Sequence, residues 1–303
     1  MDFLYMLESI RMPILNEFML LITNLGDEIT FLVIALVLFW CVDKRSGYFL
    51  LTVGFVGTLA NQFMKLHFRV PRPWVIDENF TILEEAREAA SGYSFPSGHT
   101  QSSVGTFGAI AVITNRKVIR FVAVVIAILV PFSRMYIGVH TPLDVLVAAI
   151  MAVALICLLK PIVFESNDKF LPILLVAMIA LAIAFLMYVE CNSFPADIDQ
   201  HNLASGIKNA YTLLGAVLGL IVVYYVDKKY INFSTDAIWW AQILKVFAGL
   251  LLVLAVKSGL KSPINLVFGT SLGTAVRYFL IVIVAGTIWP LSFQWFSNLG
   301  KKA

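Results

Sequence analysis

Three short polar segments interrupt the apolar sequence between residues 65 and 144, and their side chains are of types that bind and transfer anions. The candidate site residues are Lys65 and Arg72 in the first segment, Ser97, Gly98 and His99 in the second, and Arg134, His140 and Asp144 in the third. Two guanidinium groups and one ammonium group suit a phosphate, because arginine holds phosphate oxygens with paired N–H groups. Together the segments predict a phosphate site.

The histidines could carry out phosphoryl transfer at such a site. Asp144 follows His140 by four residues in the first turn of a predicted helix, so its carboxylate could fix one ring nitrogen and leave the other to attack phosphorus. This spacing suits a nucleophile as well as a base. His99 then remains as the general acid for the leaving oxygen, while the cations stabilise the charge of the transferred group.

Ser97 and Gly98 lie at the predicted start of a helix. Backbone N–H groups and the positive end of the helix dipole favour an anion there, and glycine lets the backbone approach it closely. The sequence has no cluster of carboxylates that suits two metal ions. We therefore expect a reaction that needs no metal and no other cofactor.

Each of these features alone has an ordinary explanation. An arginine at the end of a membrane span usually anchors the helix at the interface, and Pro-Ser-Gly is a common turn. The combination is harder to explain by chance, because the chain has only four histidines and two of them, His99 and His140, are candidate site residues in these segments. We therefore favour a functional site.

The composition indicates which elements must position these residues. Hydrophobic residues make up 60% of the 303 residues and charged residues 14%, and the mean hydropathy is +0.87. A soluble protein carries roughly twice that share of charge, so the sequence predicts an all-α, polytopic membrane helical bundle. The net charge of +3 is too small and dispersed for nucleic-acid binding, and the three cysteines are too far apart for a disulfide framework or a metal site.

Runs of apolar residues predict about nine membrane spans. Residues 3–25 include charged side chains and a proline, which favours an interfacial helix and a hinge over a clean span. A polar loop at 66–96 is expected to hold one short surface helix at 84–88. The predicted spans are 29–42, 47–64, 99–115, 118–132, 141–159, 170–188, 211–226, 238–256 and 268–289.

Lysine and arginine pairs fall on alternate connections, which the positive-inside rule assigns to the cytoplasm. From His99 to Arg134 the chain crosses the membrane twice, so both ends share one face, and Lys65 and Arg72 reach it through the preceding loop. The polar segments are therefore predicted to meet on the exoplasmic side of a plasma (inner) membrane.

At these residues the sequence resembles the type 2 phosphatidic-acid phosphatase superfamily, which includes the vanadium haloperoxidases. The family motifs are Lys-x6-Arg-Pro, Pro-Ser-Gly-His and Ser-Arg-x5-His-x3-Asp, and in this chain they read from Lys65 to Pro73, Pro96 to His99 and Ser133 to Asp144. Residues 25–28 and 39–43 are also similar to sphingosine-1-phosphate phosphatase relatives.

This resemblance implies a six-helix core that hydrolyses phosphomonoesters or diphosphates through a phosphohistidine. It implies His140 as the nucleophile, Asp144 as the group that orients it, and His99 as the proton donor. The implied phosphate ligands are Lys65, Arg72, Ser97, Gly98 and Arg134.

The chain continues beyond such a core with about three further predicted spans. We divide it into residues 1–165, with the N-terminal segment and the first core spans, 166–206, with the sixth core span and an outer loop, and 207–303, the C-terminal extension. Lys245 and Arg277 lie in apolar stretches of that extension. An intramembrane cation could hold a lipid headgroup or a subunit, although a structural role is favoured for Lys245 and is equally plausible for Arg277.

Two pairs of glycines in the extension have the small-xxx-small spacing. The pairs are Gly215 with Gly219 and Gly269 with Gly273. This spacing favours close helix packing, and a homodimer is left open.

These observations predict an integral membrane lipid phosphatase acting on an amphiphilic phosphate. Polyprenyl diphosphate, phosphatidic acid, phosphatidylglycerol phosphate and sphingoid phosphates all fit such a site. One alternative is a phosphotransferase that passes the phosphoryl group to a lipid or glycan acceptor. Another is a non-catalytic lipid transporter, against which the complete set of His99, His140 and Asp144 argues.

Overall fold

The computed structural model describes residues 1–87, 90, 92–165 and 169–299, and every regular element in these ranges is helical. Within them, seven helices are long and apolar enough to cross a membrane, or eight if the bent pair Pro13–Gly26 and Glu28–Cys41 counts as one span. The prediction of an all-α polytopic membrane protein is confirmed.

Fourteen α-helices follow one another along the described part of the chain. The first eight are α1 (Asp2–Ser9), α2 (Pro13–Thr23), α3 (Glu28–Cys41), α4 (Lys44–Phe68), α5 (Pro73–Ile76), α6 (Gly98–Ile113), α7 (Lys117–Tyr136) and α8 (Pro142–Phe164). The next six are α9 (Leu171–Cys191), α10 (Gln200–Val226), α11 (Trp239–Gly259), α12 (Lys261–Phe268), α13 (Thr270–Ile283) and α14 (Phe293–Asn298). Single π-helical turns occupy Asp227–Ile231 and Val284–Ile288, and 3-10 turns occupy Asn24–Gly26, Glu84–Ala86 and Trp289–Ser292.

A helix covers each predicted span, but two of these helices are short. α3 has 14 residues and α6 has 16, whereas about 20 are needed to cross the hydrocarbon core. α3 is joined to α2 through a bend of 52°. Residues 3–25, which were expected to form one interfacial helix and a hinge, instead form two helices and the turn that leads into α3.

Polar helical segments account for the other differences from the prediction. α10 begins at Gln200 rather than near Tyr211, because residues 200–210 are polar and hydropathy alone does not register them. α12 was not predicted for the same reason, since it begins with Lys261-Ser-Pro. The surface helix expected at 84–88 is a single 3-10 turn at Glu84–Ala86, and residue 88 lies outside the described residues.

The chain divides into two compact units. The first comprises Met1–Leu32, Thr52–Lys160 and Phe194–Gly206, and the second comprises Val33–Leu51, Pro161–Ser193 and the chain from Ile207 on. All three polar segments of the candidate site belong to the first unit.

Long-range hydrogen bonds organise the first unit, in which α2 and α6 pack against α7. Arg11, between α1 and α2, donates to the backbone carbonyls of Tyr136 (3.0 Å) and Thr81 (2.9 Å). The Tyr136 hydroxyl donates to Asn16 on α2 (2.8 Å). These bonds fasten the N-terminal helices to the end of α7 that carries Arg134.

Glycines let α10 and α13 pack closely in the second unit. An ideal Cβ at Gly215 would lie 2.0 Å from the Ala275 carbonyl oxygen, and one at Gly219 would lie 2.8 Å from Val282 Cβ. The packing role predicted for this glycine pair is therefore confirmed.

The second glycine pair has two different roles. A Cβ at Gly273 would lie 2.7 Å from Asn265 Oδ1 on α12, so this glycine does allow close packing. Gly269 has nothing within 4 Å of an ideal Cβ and a φ of +74°. The packing prediction is wrong for Gly269, whose left-handed backbone instead makes the turn between α12 and α13.

Gly215→Ala should lower the free energy of unfolding by about 1–3 kcal/mol, because the new methyl group meets a backbone oxygen that has little freedom to move. Gly259→Ala is the matched control, since nothing lies within 4 Å of its ideal Cβ and alanine stabilises a helix. Unfolding of each purified variant in detergent measures the difference. Equal stability of the two variants would contradict the close approach of α10 and α13.

Candidate active site

Helix ends bring the predicted site residues together in the first unit. Arg72, Arg134, His140 and Asp144 are each no more than 6% exposed, so their polar groups require partners within the protein. All eight predicted site residues lie at or next to helix ends. Lys65 is in the last turn of α4, Arg72 is the N-cap of α5, Ser97 is the N-cap of α6, and Gly98 and His99 are its first residues. Arg134 is in the last turn of α7, His140 is in the turn before α8, and Asp144 is in the first turn of α8.

His140 lies between a carboxylate and a guanidinium group. Its Nδ1 is 3.5 Å from Asp144 Oδ2 and 3.4 Å from Ser94 Oγ, whereas its Nε2 is 3.0 Å from Arg72 Nη1. Because arginine can only donate, Nε2 must accept with its lone pair and the ring proton must be on Nδ1. Nε2 is therefore the ring nitrogen that could attack phosphorus.

The Asp144 carboxylate is held in place by Ser94 and by the start of α8. Its Oδ2 accepts hydrogen bonds from Ser94 Oγ (2.5 Å) and from the Thr141 backbone N–H (2.7 Å). The Thr141 hydroxyl in turn accepts from the Asp144 N–H (3.3 Å), which makes a reciprocal helix cap. The Asp144 carbonyl accepts from the Ser97 N–H (3.1 Å) and so joins α8 to the start of α6.

Two of the cations are held by backbone carbonyls. Arg72 donates to the carbonyls of Gly92 and Val139, both at 2.8 Å, and Lys65 donates to the carbonyl of Tyr93 at 2.6 Å. Neutral carbonyls satisfy N–H groups without cancelling their positive charge. An anion is therefore favoured near these side chains.

Arg134, which is 2% exposed, contributes a third positive charge. Its Nη1 donates to the hydroxyl of Thr23, at the end of α2, at 2.7 Å. Its Nε is buried without a hydrogen-bond partner among the described residues. This donor could serve a phosphate oxygen, since buried N–H groups are rarely left unpaired.

The pKa of His140 lies well below its ordinary value of 6.5. Burial, which disfavours the charged ring, is the main cause, and the positive charges of Arg72, Arg134 and Lys65 act in the same direction. The imidazole is consequently neutral at pH 7, and its Nε2 carries the lone pair that faces Arg72.

His99 is paired with a carboxylate that the sequence motifs do not include. Its Nε2 lies 2.9 Å from Asp27 Oδ1, which leaves Nδ1 as the ring nitrogen that could face a substrate. The segment that carries Asp27 packs tightly against α6, because an ideal Cβ at Gly26 would lie 3.0 Å from the His99 carbonyl oxygen. Asp27 therefore fixes the orientation of the imidazole.

The start of α6 borders a cavity of about 300 Å³ that is lined by Asp27 and His99, among others. Ser97 caps the helix by accepting from the Thr100 N–H (3.3 Å). An ideal Cβ at Gly98 would meet only one atom within 4 Å, Asn61 Oδ1 at 3.8 Å. The backbone at Gly98 is therefore open to this cavity, as a close approach to an anion requires.

Three residues of this arrangement were not predicted from the sequence. Ser94 is two residues before Pro96, at the edge of the second motif, and a hydroxyl there is the one available signal. Asp27 and Thr23 precede the first motif by about 40 residues, and only the folded chain brings them to His99 and Arg134.

The two cations of the C-terminal extension belong to the second unit. Lys245 is fully buried and donates to the carbonyls of Trp40 (2.8 Å) and Thr235 (3.3 Å), so the structural role favoured for it is confirmed. Arg277 is 6% exposed on α13, with its guanidinium carbon 5.4 Å from the centre of the Tyr278 ring.

Comparison with known proteins agrees with the motifs. The PAP2 superfamily matches residues 46–168, and the PAP2 superfamily phosphatase transmembrane extension matches residues 211–302. Phosphatidylglycerophosphatase B of Bacillus subtilis is 31% identical over 164 residues, which cover 50% of this chain and 76% of that protein. The chain belongs to the PAP2 superfamily. The family resemblance seen in the sequence is thus confirmed.

Two further relatives align over about half of their own length. Undecaprenyl-diphosphatase BcrC of B. subtilis is 32% identical over 100 residues, 33% of this chain and 49% of that protein. A probable sphingosine-1-phosphate phosphatase of Dictyostelium discoideum is 25% identical over 211 residues, 63% of this chain and 51% of that protein. No solved structure matches this chain.

The low pKa of His140 in this PAP2 site should make stability depend on pH. Because the folded chain resists protonation of this ring, it binds fewer protons than the unfolded chain below pH 6.5. The contribution of the neutral ring to the free energy of unfolding is complete above pH 6.5. It is lost as the pH falls towards the folded pKa, and the free energy of unfolding then decreases by at most about 1.4 kcal/mol per pH unit.

Unfolding free energies of wild type and His140→Gln, measured across this range, test the expectation. Below pH 6.5 the wild type should lose stability more steeply than the variant, and above it the two curves should run parallel. Equal slopes below pH 6.5 would show that the ring titrates normally in the folded state.

Proposed function

We propose that this chain is an integral membrane lipid phosphatase that hydrolyses a lipid phosphate or diphosphate through a phosphohistidine. The observation that carries the proposal is the orientation of His140, whose Nδ1 faces Asp144 while its Nε2 faces Arg72. A neutral imidazole with a fixed tautomer, beside a cluster of cations, suits nucleophilic attack on a phosphate.

In the first proposed step, His140 Nε2 forms a bond to phosphorus as the bond from phosphorus to the leaving oxygen breaks. His99 donates its proton to that oxygen, and Asp27 stabilises the protonated imidazole beforehand. Asp144 holds the Nδ1 proton and offsets the positive charge that His140 gains. Lys65, Arg72 and Arg134 bind the phosphoryl oxygens, as do the hydroxyl of Ser97 and the backbone N–H group of Gly98.

In the second proposed step, water attacks the phosphohistidine. His99, now deprotonated, accepts a proton from the water, and the N–P bond breaks to restore neutral His140 and release phosphate. We expect both steps to proceed without a divalent metal, because protein cations carry the electrostatic role that a metal ion has in other phosphatases.

The proposed substrate has its tail in the bilayer and its phosphate at the membrane surface. The names of the relatives refer to undecaprenyl diphosphate, phosphatidylglycerophosphate and sphingosine-1-phosphate, so a lipid phosphate or diphosphate is the class that we infer for this chain. The distribution of basic loops supports a site on the exoplasmic side of the plasma (inner) membrane.

His140→Ala should reduce phosphate release from lipid phosphates by at least about a thousandfold, because no other group can form the covalent intermediate. Rapid denaturation of the wild type with radiolabelled lipid phosphate should trap an acid-labile, base-stable label on the protein, and the variant should carry none. His201→Ala is the matched control, since His201 is exposed and should be dispensable.

The same assay separates the competing schemes. Phosphate release without an added acceptor supports hydrolysis, whereas turnover that requires a lipid or glycan acceptor would indicate a phosphotransferase. Loss of activity with excess chelator, while the protein stays folded, would contradict the metal-independent scheme. Labelled protein in His140→Ala would place the nucleophile elsewhere.

Asp27→Asn should slow the reaction of substrates with poor leaving groups more than that of substrates with good ones. Without the carboxylate 2.9 Å from Nε2, protonated His99 is less stable and less well oriented, so kcat for an alkyl phosphate should fall about 10- to 100-fold. An activated ester such as p-nitrophenyl phosphate needs little proton donation and should lose less than about threefold.

Glu28→Gln is the matched control, because it removes the neighbouring carboxylate that lines the same cavity. It should leave the ratio of the two substrate rates at the wild-type value. If Asp27→Asn slowed both substrates equally, Asp27 would have a structural role and not one in leaving-group protonation.

A further inference from the structure

A second cavity lies within the second unit, where α3 ends, α4 begins and α10 passes into a π-helical turn. Its volume is about 410 Å³, and its lining includes Lys44, Arg45, Tyr48 and Lys228. This volume can accommodate a phosphate together with part of a larger molecule. None of these residues has a role in the proposed phosphatase site.

The acidic residues that line this cavity are occupied by other groups of the chain. Asp227 forms an ion pair with Lys44, at 3.0 and 2.7 Å, and accepts from the Phe233 N–H. Asp43 accepts from both the N–H and the hydroxyl of Ser46. The lining holds three cations, Lys44, Arg45 and Lys228, and two carboxylates, Asp43 and Asp227, so its net charge is +1, which favours an anion. Lys228 also donates to the hydroxyl of Tyr224, a neutral acceptor that leaves its positive charge in place.

The hydroxyl of Tyr48 is a further donor. Tyr48 is only 4% exposed, and its Oη has no hydrogen-bond partner among the described residues. Its ring packs edge-on against Phe39 and Tyr224, with centroids 5.2 and 5.8 Å apart, so the hydroxyl is held rigidly. A buried tyrosine hydroxyl normally finds a partner, and a ligand in the cavity would provide one.

The backbone beside this cavity has two uncommon conformations. Asp227–Ile231 forms a π-helical turn, and Asn232 follows it with a φ of 40°, in the left-handed region. Isolated π-helical turns and left-handed residues other than glycine occur preferentially at functional sites. They support a binding role that the cations alone would not establish.

We propose that this cavity binds a phosphate group, with Arg45 and Lys228 as its cationic ligands and Tyr48 as a neutral hydrogen-bond donor. The group could belong to the headgroup of an anionic phospholipid or to free phosphate, because both present the same oxygens. Basic pockets among membrane helices bind anionic lipid headgroups in this manner. The site is a binding site without chemistry of its own.

The test is a titration of the full-length protein in detergent, followed by thermal unfolding, with three probes. These are inorganic phosphate, dihexanoyl phosphatidylglycerol, which is a diester that the proposed phosphatase would not consume, and zwitterionic dihexanoyl phosphatidylcholine. Arg45→Gln and Lys228→Gln should each weaken binding of whichever anionic probe occupies the cavity by about tenfold. Lys229→Gln, on the same turn but outside the cavity lining, is the matched control and should bind as the wild type does.

Tyr48→Phe distinguishes binding from a structural role. Its unliganded stability should equal that of the wild type, since the hydroxyl has no partner to lose among the described residues, while its affinity for the anionic probe should fall several-fold. Phosphate at the catalytic site contributes equally to all of these proteins, so differences between them report the second cavity.

If only the stabilisation by phosphatidylglycerol is reduced in the cavity variants, the cavity is a lipid headgroup site. If only the stabilisation by inorganic phosphate is reduced in them, it is a site for the free ion. The proposal fails if neither anionic probe stabilises the protein, if phosphatidylcholine is equally effective, or if Arg45→Gln, Lys228→Gln and Tyr48→Phe all bind both anionic probes as the wild type does.

Discussion

The contact between Arg72 and His140 is the constraint on which the rest of the candidate active site depends. A guanidinium N–H can only donate, so its position 3.0 Å from Nε2 requires the lone pair of the imidazole to point at it. The ring proton must then find an acceptor on the opposite side. Ser94 and Asp144 provide that acceptor. The Asp144 carboxylate is held towards the ring by hydrogen bonds from Ser94 Oγ and from the Thr141 N–H at the start of α8.

Burial strengthens the attraction of these cations for an anion and also destabilises the folded chain. Cations removed from water interact strongly with an anion, but they also repel one another and lose hydration. The chain compensates with backbone carbonyls at Gly92, Tyr93 and Val139, which come from loops and not from helix interiors. The loop before α6 is therefore a structural part of the site. It supplies backbone acceptors, whereas the carbonyls inside a membrane helix are already hydrogen-bonded within the helix.

The sequence predicted the members of the site better than their partners. Motif spacing identified Arg72, His140 and Asp144, because α-helical periodicity and helix ends determine how such residues face one another. Asp27 and Ser94 could not be predicted in the same way, since their contacts depend on how distant segments pack. Hydropathy likewise predicted where membrane helices occur but not the polar start of α10, the bend between α2 and α3, or the turn at Gly269.

The carboxylate of Asp144 has two simultaneous duties, because the oxygen that accepts from Ser94 also caps the N-terminus of α8. Fraying of that single helical turn would release the carboxylate and let the imidazole rotate, while the membrane helices stayed intact. The activity proposed for this chain would thus depend on the first turn of one helix, and on heating it would be lost before the helical bundle unfolded.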